Sequence, residues 1–170
     1  MQETLKLHVL EKDDLPFIHQ LYNHKDLMKY WFEEPYCSMA QLEDMYHKNI
    51  RSENIRQFIL KKGSKKLGYI GFYGIEKIHR KAEFGIIIDS KHQENGYAKL
   101  AMELALDYAF STLNLHKLYL IVDKENEKAI HIYKKAGFKV EAELKDEFFV
   151  DGSYHDTIIM CVFQQEYLEK

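Results

Sequence analysis

The sequence predicts an α/β (α+β) fold: a central mixed, mostly antiparallel twisted sheet of about seven strands with helices on both faces. Three observations predict it. Short apolar or alternating runs recur along the 170 residues, and stretches of helical periodicity separate several of them. At the centre, the apolar run from Phe84 to Ile88 passes through a polar loop ending in Gly96 directly into a helical pattern.

Leu5, Leu7 and Val9 alternate with polar residues, as in a first strand with one buried face. Asp13 and Asp14 are placed to cap a helix whose first turn tolerates Pro16, and Leu15, Ile18, Leu21 and Tyr22 share one side of it. Ser38 followed by Gln41 is a capping-box pattern that starts a second helix near residue 39, with Met39, Leu42, Met45, Tyr46 and Ile50 at helical spacing. A strand at 57–60 and its return at 67–75 flank Lys61-Lys62-Gly63-Ser64-Lys65-Lys66, a hairpin whose lysines read as a solvated turn. Gly68, Gly71 and Gly74 in the return strand predict bulges or close backbone approach.

In the central stretch Ile86-Ile87-Ile88 is β-branched and short, which suits a strand buried on both faces. Leu100, Leu104 and Tyr108 then recur four apart with Ala101 and Ala105 beside them, an apolar helical face. The strand at 117–122 is predicted to run parallel to 84–88, because a helix connects the two and the right-handed crossover is strongly favoured. Asn126 can start a further helix with Ala129, Ile130 and Tyr133 on one face and Gly137 as a left-handed cap. Val140–Val150 and Tyr154–Phe163, parted by Gly152, read as a closing hairpin. No repeat or linker interrupts the chain, so a single domain over residues 1–170 is expected.

With 46% hydrophobic residues, including 12 Tyr and 10 Phe, the chain has ample material for a core. Its 24 Lys and Arg against 27 Asp and Glu leave a net charge of −3, which gives no nucleic-acid footprint and is compatible with a cationic substrate. The start MQETLKLHVL has neither a basic segment nor a long apolar core, and no run approaches the roughly 20 apolar residues that span a bilayer. A soluble cytoplasmic protein is expected. Cys37 and Cys161 lack metal-ligand spacing and read as reduced thiols, and none of the nine His falls in an H-E-x-x-H or similar pattern.

Two stretches can carry chemistry. A helix that starts at Gly96 with Ala98 following presents unpaired N–H groups whose dipole favours a pyrophosphate, although a single Gly in such a turn also has a purely steric reading. Trp31-Phe32-Glu33-Glu34-Pro35 sets two carboxylates beside aromatic surface. Either the rings fill core and the carboxylates face water, or together they bind an ammonium group through cation–π attraction and charge-assisted hydrogen bonds.

Gln93-Glu94-Asn95-Gly96-Tyr97-Ala98 matches the Q/R-x-x-G-x-G/A pattern of the GNAT acetyltransferases. Trp31-Phe32-Glu33-Glu34-Pro35-Tyr36, Arg80-Lys81-Ala82-Glu83-Phe84 and the run LNLHKLYLIVDKENEKAIHIYKKAGF at 113–138 resemble the spermidine N-acetyltransferases of that superfamily, and the resemblance covers nearly the whole chain. It implies the GNAT fold, with a splayed parallel strand pair that admits the pantetheine arm of acetyl-CoA. The implied cofactor-binding residues are Ile86, Ile87, Ile88, Gln93, Glu94, Asn95, Gly96, Tyr97, Ala98, Lys99, Asn126, Ala129, Tyr133 and Lys135. Many relatives have Gly at the position of Glu94, whose charge would weaken phosphate binding if it pointed inward.

The implied activity is acetyl transfer from acetyl-CoA to a primary amine of spermidine, and of spermine, by direct attack in a ternary complex that requires no metal. Tyr133 matches the Tyr of the family's H-x-Y-x-x-x-G-F arrangement and becomes the general acid for departing coenzyme A; Glu83 matches an active-site Glu that binds or deprotonates the amine, although alone it could form a surface ion pair with Arg80 or Lys81. Backbone N–H groups near Ile87 are candidates to stabilise the oxyanion. Glu33, Glu34, Gln41 and Glu83 are the implied substrate-binding residues, and a homo-oligomer, commonly a dodecamer, is implied. Residues unlike the usual acidic or His ones at Cys37, Gln41, Asn49, Ser52, Ile55 and Gly74 imply weakened allosteric polyamine binding. Two other readings stand beside this one: a GNAT enzyme for protein N-termini or another small amine, and a non-catalytic sensor of acetyl-CoA or polyamine.

Overall fold

A computed structural model of the chain describes residues 4–169. Strand β1 (Leu5–Val9) is followed by helices α1 (Leu15–Tyr22), α2 (Lys25–Met28) and α3 (Met39–Asn49). The hairpin of β2 (Arg56–Lys62) and β3 (Lys65–Glu76) leads to β4 (Lys81–Ile88), α4 (Tyr97–Asp107), β5 (Lys117–Asp123) and α5 (Glu127–Ala136). A second hairpin, β6 (Lys139–Val150) and β7 (Ser153–Phe163), precedes the short α6 (Gln164–Leu168). The strands form one seven-stranded sheet in the order β1-β2-β3-β4-β5-β7-β6, and only β4 and β5 pair in parallel. No helix among the described residues is long and apolar enough to cross a membrane.

Alternation of side chains along the strands divides the core between two faces. On one face Ile59, Tyr69 and Ile87 pack under Leu15, Ile18 and Leu21 of α1 and Leu42 of α3. On the other, Phe58, Leu60, Ile70, Phe72 and Phe84 meet Ala101, Met102, Ala105 and Leu106 of α4. The glycines of β3 have distinct reasons. A Cβ on Gly68 would lie 2.3 Å from the Ile87 carbonyl oxygen and one on Gly71 2.3 Å from Tyr73 Oη, whereas Gly74 takes a positive φ where the β3–β4 register shifts.

The apolar face of α4 keeps the expected Ala101 and Ala105 fully buried and adds Met102 and Leu106, while Leu104 and Tyr108 pack against the core only in part and Leu100 is 44% exposed. The helix then widens into a π turn over Tyr108–Thr112, closed by Leu113 N–H donating to the Tyr108 carbonyl, which buries Ala109 and Phe110 side by side. A 3.6-residue period could not anticipate that register change.

Asp14 stands at the N-cap of α1 as expected, but its carboxylate makes no cap bond to that helix; it is a buried ion-pair centre, and two of the hairpin lysines serve it rather than water. Only 2% of Asp14 is exposed, and its carboxylate lies 2.7 Å from Lys66 Nζ, 3.3 Å from Lys61 Nζ and accepts the Glu11 N–H at 3.1 Å. Burial pushes this carboxyl up, but those hydrogen bonds and the two lysine charges outweigh it and hold it below the usual range. Its ionised form therefore stabilises the fold above the unfolded pKa of about 4 and loses that contribution as pH falls through the lower folded value. Asp14→Asn is expected to cost about 2 kcal/mol at pH 7, measured by urea unfolding, with a smaller difference at pH 3.

Candidate functional site

The parallel ladder between β4 and β5 lasts three pairs, Lys81–Lys117, Ala82–Leu118 and Glu83–Tyr119. Beyond Glu83 the strands part, and a cavity of about 820 Å³ opens between Ile86, Ile87 and Ile88 on one side and Leu120, Ile121 and Val122 on the other. Alternation along β4 decides which backbone groups face it. Asp89 N–H donates to the Leu67 carbonyl, so residues 89, 87 and 85 bond towards β3 and residues 84, 86 and 88 turn towards the gap. The Ile86 and Ile88 carbonyls accept from Trp31 Nε1 at 3.3 Å and Gln93 Nε2 at 3.2 Å, consistent with that parity. With those carbonyls engaged, the backbone N–H groups of Ile86 and Ile88 face the gap, while the backbone of Ile87 bonds towards β3 and the residue still borders the cavity.

At one end of the cavity stands the N-terminus of α4. Gly96 adopts a left-handed conformation, φ 73°, and no side chain caps the helix. The first N–H groups, of Tyr97, Ala98 and Lys99, therefore remain for an anion. The N-terminus of α5 is different, because Asn126 Oδ1 accepts the Ala129 N–H at 3.2 Å and fills it. Asn95 Nδ2 donates to the carbonyls of His92 and Gln93, which shapes the loop without placing Asn95 in the cavity wall. The Glu94 carboxylate is 83% exposed and lies 3.5 Å from Lys128 Nζ, so a cation on the cavity rim offsets the charge.

Midway along, Tyr133 projects from α5 into the wall, its ring 5.9 Å from Phe138. Burial pushes the phenol up to about 12, and its hydroxyl has no hydrogen-bond partner among the described residues. It is a neutral donor throughout the physiological range.

The opposite end is aromatic and acidic. Glu83, half-buried beside the last rung of the ladder, makes no ion pair among the described residues, and burial pushes its carboxyl above the usual range. The cations next to it in sequence are engaged elsewhere: Lys81 Nζ lies 3.3 Å from Glu76, and Arg80 binds Asn114 and Gln164. Glu83 is paired across the sheet with Tyr73, and the cavity it borders is also lined by Tyr30, Trp31, Phe32, Phe148 and Glu33. The Tyr73 hydroxyl is held 2.5 Å from that of Tyr69, which accepts from Gln57 at 2.6 Å. Burial pushes Tyr69 and Tyr73 far above the usual range, so these phenols form a fixed back wall and not a base.

Trp31 reaches this position because residue 85 is glycine: a Cβ there would sit 2.7 Å from the indole Cη2. Gly85→Ala is expected to displace the indole, seen as a shift in the fluorescence emission of the chain's single tryptophan.

Several sequence-derived candidates stand outside the cavity. Gln41 Oε1 accepts the Ser38 N–H in the capping box of α3, Lys135 is exposed on α5, and Glu34 borders only a smaller adjoining cavity. Tyr73, Gly85 and Phe148 were not among the candidates. Gly85, interrupting a β-branched strand, was a legible sign of close approach, whereas Phe148 comes from a distant strand and had no local signal.

Residues 4–139 match the acetyltransferase (GNAT) domain family. The spermidine N(1)-acetyltransferase of Escherichia coli (strain K12) is 51% identical over 165 residues, covering 97% of this chain and 89% of that protein. The crystal structure of spermidine N-acetyltransferase from Vibrio cholerae in complex with CoA and spermine matches with a TM-score of 0.95 at 45% identity, over 96% of this chain and 98% of that one. A dodecameric structure of the Vibrio cholerae enzyme in an intermediate state matches with a TM-score of 0.86 at 44% identity, over 96% of each chain.

Proposed function

This chain belongs to the GNAT acetyltransferase family, and we propose that it transfers the acetyl group of acetyl-CoA to a primary amine of spermidine and of spermine. The observation that carries this reading is the continuity of one cavity from the uncapped N-terminus of α4, through the β4–β5 gap, to an end lined by a carboxylate and aromatic side chains. An anionic, elongated acyl donor suits the first two parts. A cationic amine suits the third.

The amine nitrogen attacks the thioester carbonyl carbon directly, and positioning supplies much of the acceleration. Glu83, directly or through one water, takes a proton from the ammonium so that a lone pair is available. The carbon–nitrogen bond forms as the carbon–sulfur bond breaks. Tyr133 donates its proton to the leaving sulfur, the proton lost by the acylated nitrogen restores the phenol, and the proton held by Glu83 passes to water, so the sum is an amide, a free thiol and one proton.

Thiol release from acetyl-CoA, with product masses recorded for spermidine, spermine, putrescine and an N-terminal peptide, tests the reading. Turnover of the polyamines is the expected result; turnover of the peptide alone moves the function to protein acetylation, and ligand binding without thiol release makes the protein a sensor. We further propose a cytoplasmic homo-oligomer, a dodecamer like the Vibrio cholerae enzyme. Free Cys37 and Cys161 suit a reducing compartment, and light scattering in solution gives the subunit count.

A further inference from the structure

We propose that Phe32 and Phe148 form a partition that limits how far an acceptor extends beyond Glu83, and so governs the choice between shorter and longer polyamines. This rests on the polyamine reading above. Phe32 follows a 3-10 turn and adopts φ 57°, ψ 31°, a left-handed conformation in which a bulky residue carries strain and persists only when its surroundings hold it. What holds it is Phe148: the rings stack with centroids 4.1 Å apart and planes 8° from parallel.

The two rings arrive from segments far apart in sequence. Phe148 is delivered by β6 just past a register irregularity between Leu144 and Phe148. On the outer side, Lys25 and Asp151, 3.6 Å apart, join the same two segments. Both rings border the main cavity, and Phe32 also borders the smaller one, of about 220 Å³, where Glu34, Lys25 and Asp151 stand. Glu33 borders both. Phe32, backed by Phe148 on the side of the main cavity, therefore stands between two spaces, with Glu83 on one side, Glu33 at the boundary, and Glu34 and Asp151 beside Lys25 and Lys29 on the other.

With the wall intact, an acceptor whose reacting amine lies at Glu83 meets aromatic faces, which suit methylenes and one ammonium group. A longer chain with an additional ammonium must part the rings to carry it past Glu33 to Glu34. Removing either ring joins the two spaces and gives that distal charge its partners.

The test is kcat/KM for spermidine and for spermine, at saturating acetyl-CoA, in the wild type, Phe32→Gly, Phe148→Ala and the double variant. Phe32→Gly removes the ring at a position whose φ suits glycine, so it keeps the experiment decisive even if Phe148→Ala folds poorly. The expected result is a spermine-to-spermidine ratio raised about tenfold in each single variant, with little further gain in the double, because either change alone abolishes the stack. An unchanged or lowered ratio in folded Phe32→Gly overturns the partition while wild-type turnover of spermidine leaves the enzyme reading intact. A wild type inactive on both polyamines removes that reading, and the partition falls with it.

Discussion

Tyr133→Phe is expected to lower kcat about 10²- to 10³-fold while leaving acetyl-CoA affinity unchanged. The ring packs on Phe138 and lines the cavity beside the β4–β5 gap, so phenylalanine preserves the wall and removes only the hydroxyl. That hydroxyl is unpaired among the described residues, so its loss strands no internal partner and the fold should be unaffected. Because burial pushes the phenol up to about 12, Tyr133 keeps its proton across the working range. The wild-type rate should therefore show no alkaline fall from this group below about pH 11. Stopped-time thiol release and binding calorimetry with coenzyme A separate the two effects, and a kcat within a few-fold of wild type would remove Tyr133 from the acid role.

Glu83→Gln is expected to lower kcat/KM for spermidine about 10²-fold and, at the same time, to raise thermal stability at pH 7. The two effects have one cause. Burial raises the folded pKa of Glu83 above its unfolded value of about 4.3, so the folded state holds the proton more tightly. The stability this confers is fully present below the unfolded pKa and is lost as pH rises through the folded one, where ionised Glu83 opposes folding. Glutamine never ionises, so melting curves of variant and wild type should diverge above the folded pKa and converge below about pH 4. Catalysis runs the other way: only the ionised carboxylate accepts a proton, so the kinetic advantage of Glu83 over Gln should grow with pH and vanish below its pKa. A deficit independent of pH would assign Glu83 to amine binding alone.

Much of this arrangement was legible in residues whose signal is local. Ser38 with Gln41 marked the start of α3, Asn126 and Gly137 marked both ends of α5, and the β-branched run at Ile86–Ile88 marked the strand that lines the cavity. The loop at Gly96 was readable because a polar stretch ending in a small residue gives way there at once to helical periodicity, and Gly96 is the N-cap of α4. What escaped depended on partners distant in the chain. The place of Asp14 at a helix start was legible but its ion pairs were not, because nothing near it announces Lys61 and Lys66; on α4 the burial of Ala101 and Ala105 was legible, and that of Met102 and Leu106 was not, because it depends on where the sheet lies. At the acceptor end, Glu33 was legible as a carboxylate near aromatic surface, but the Phe32–Phe148 stack and the hydroxyl wall behind Tyr73 come from strands that only the tertiary fold brings together.

The brief parallel seam between β4 and β5 makes the molecule mechanically two slabs, β1-β2-β3-β4 and β5-β7-β6, basted together by three stitches. Where continuous sheet would carry load from one slab to the other, the fold leaves a line without a ladder. On the proposed function a donor would lie in that line and supply the missing thread, so the loaded protein is expected to be the stiffer object and each turnover to unpick it again. Backbone amides of β4 and β5 beyond the third stitch are where that cycle of tightening and loosening is written.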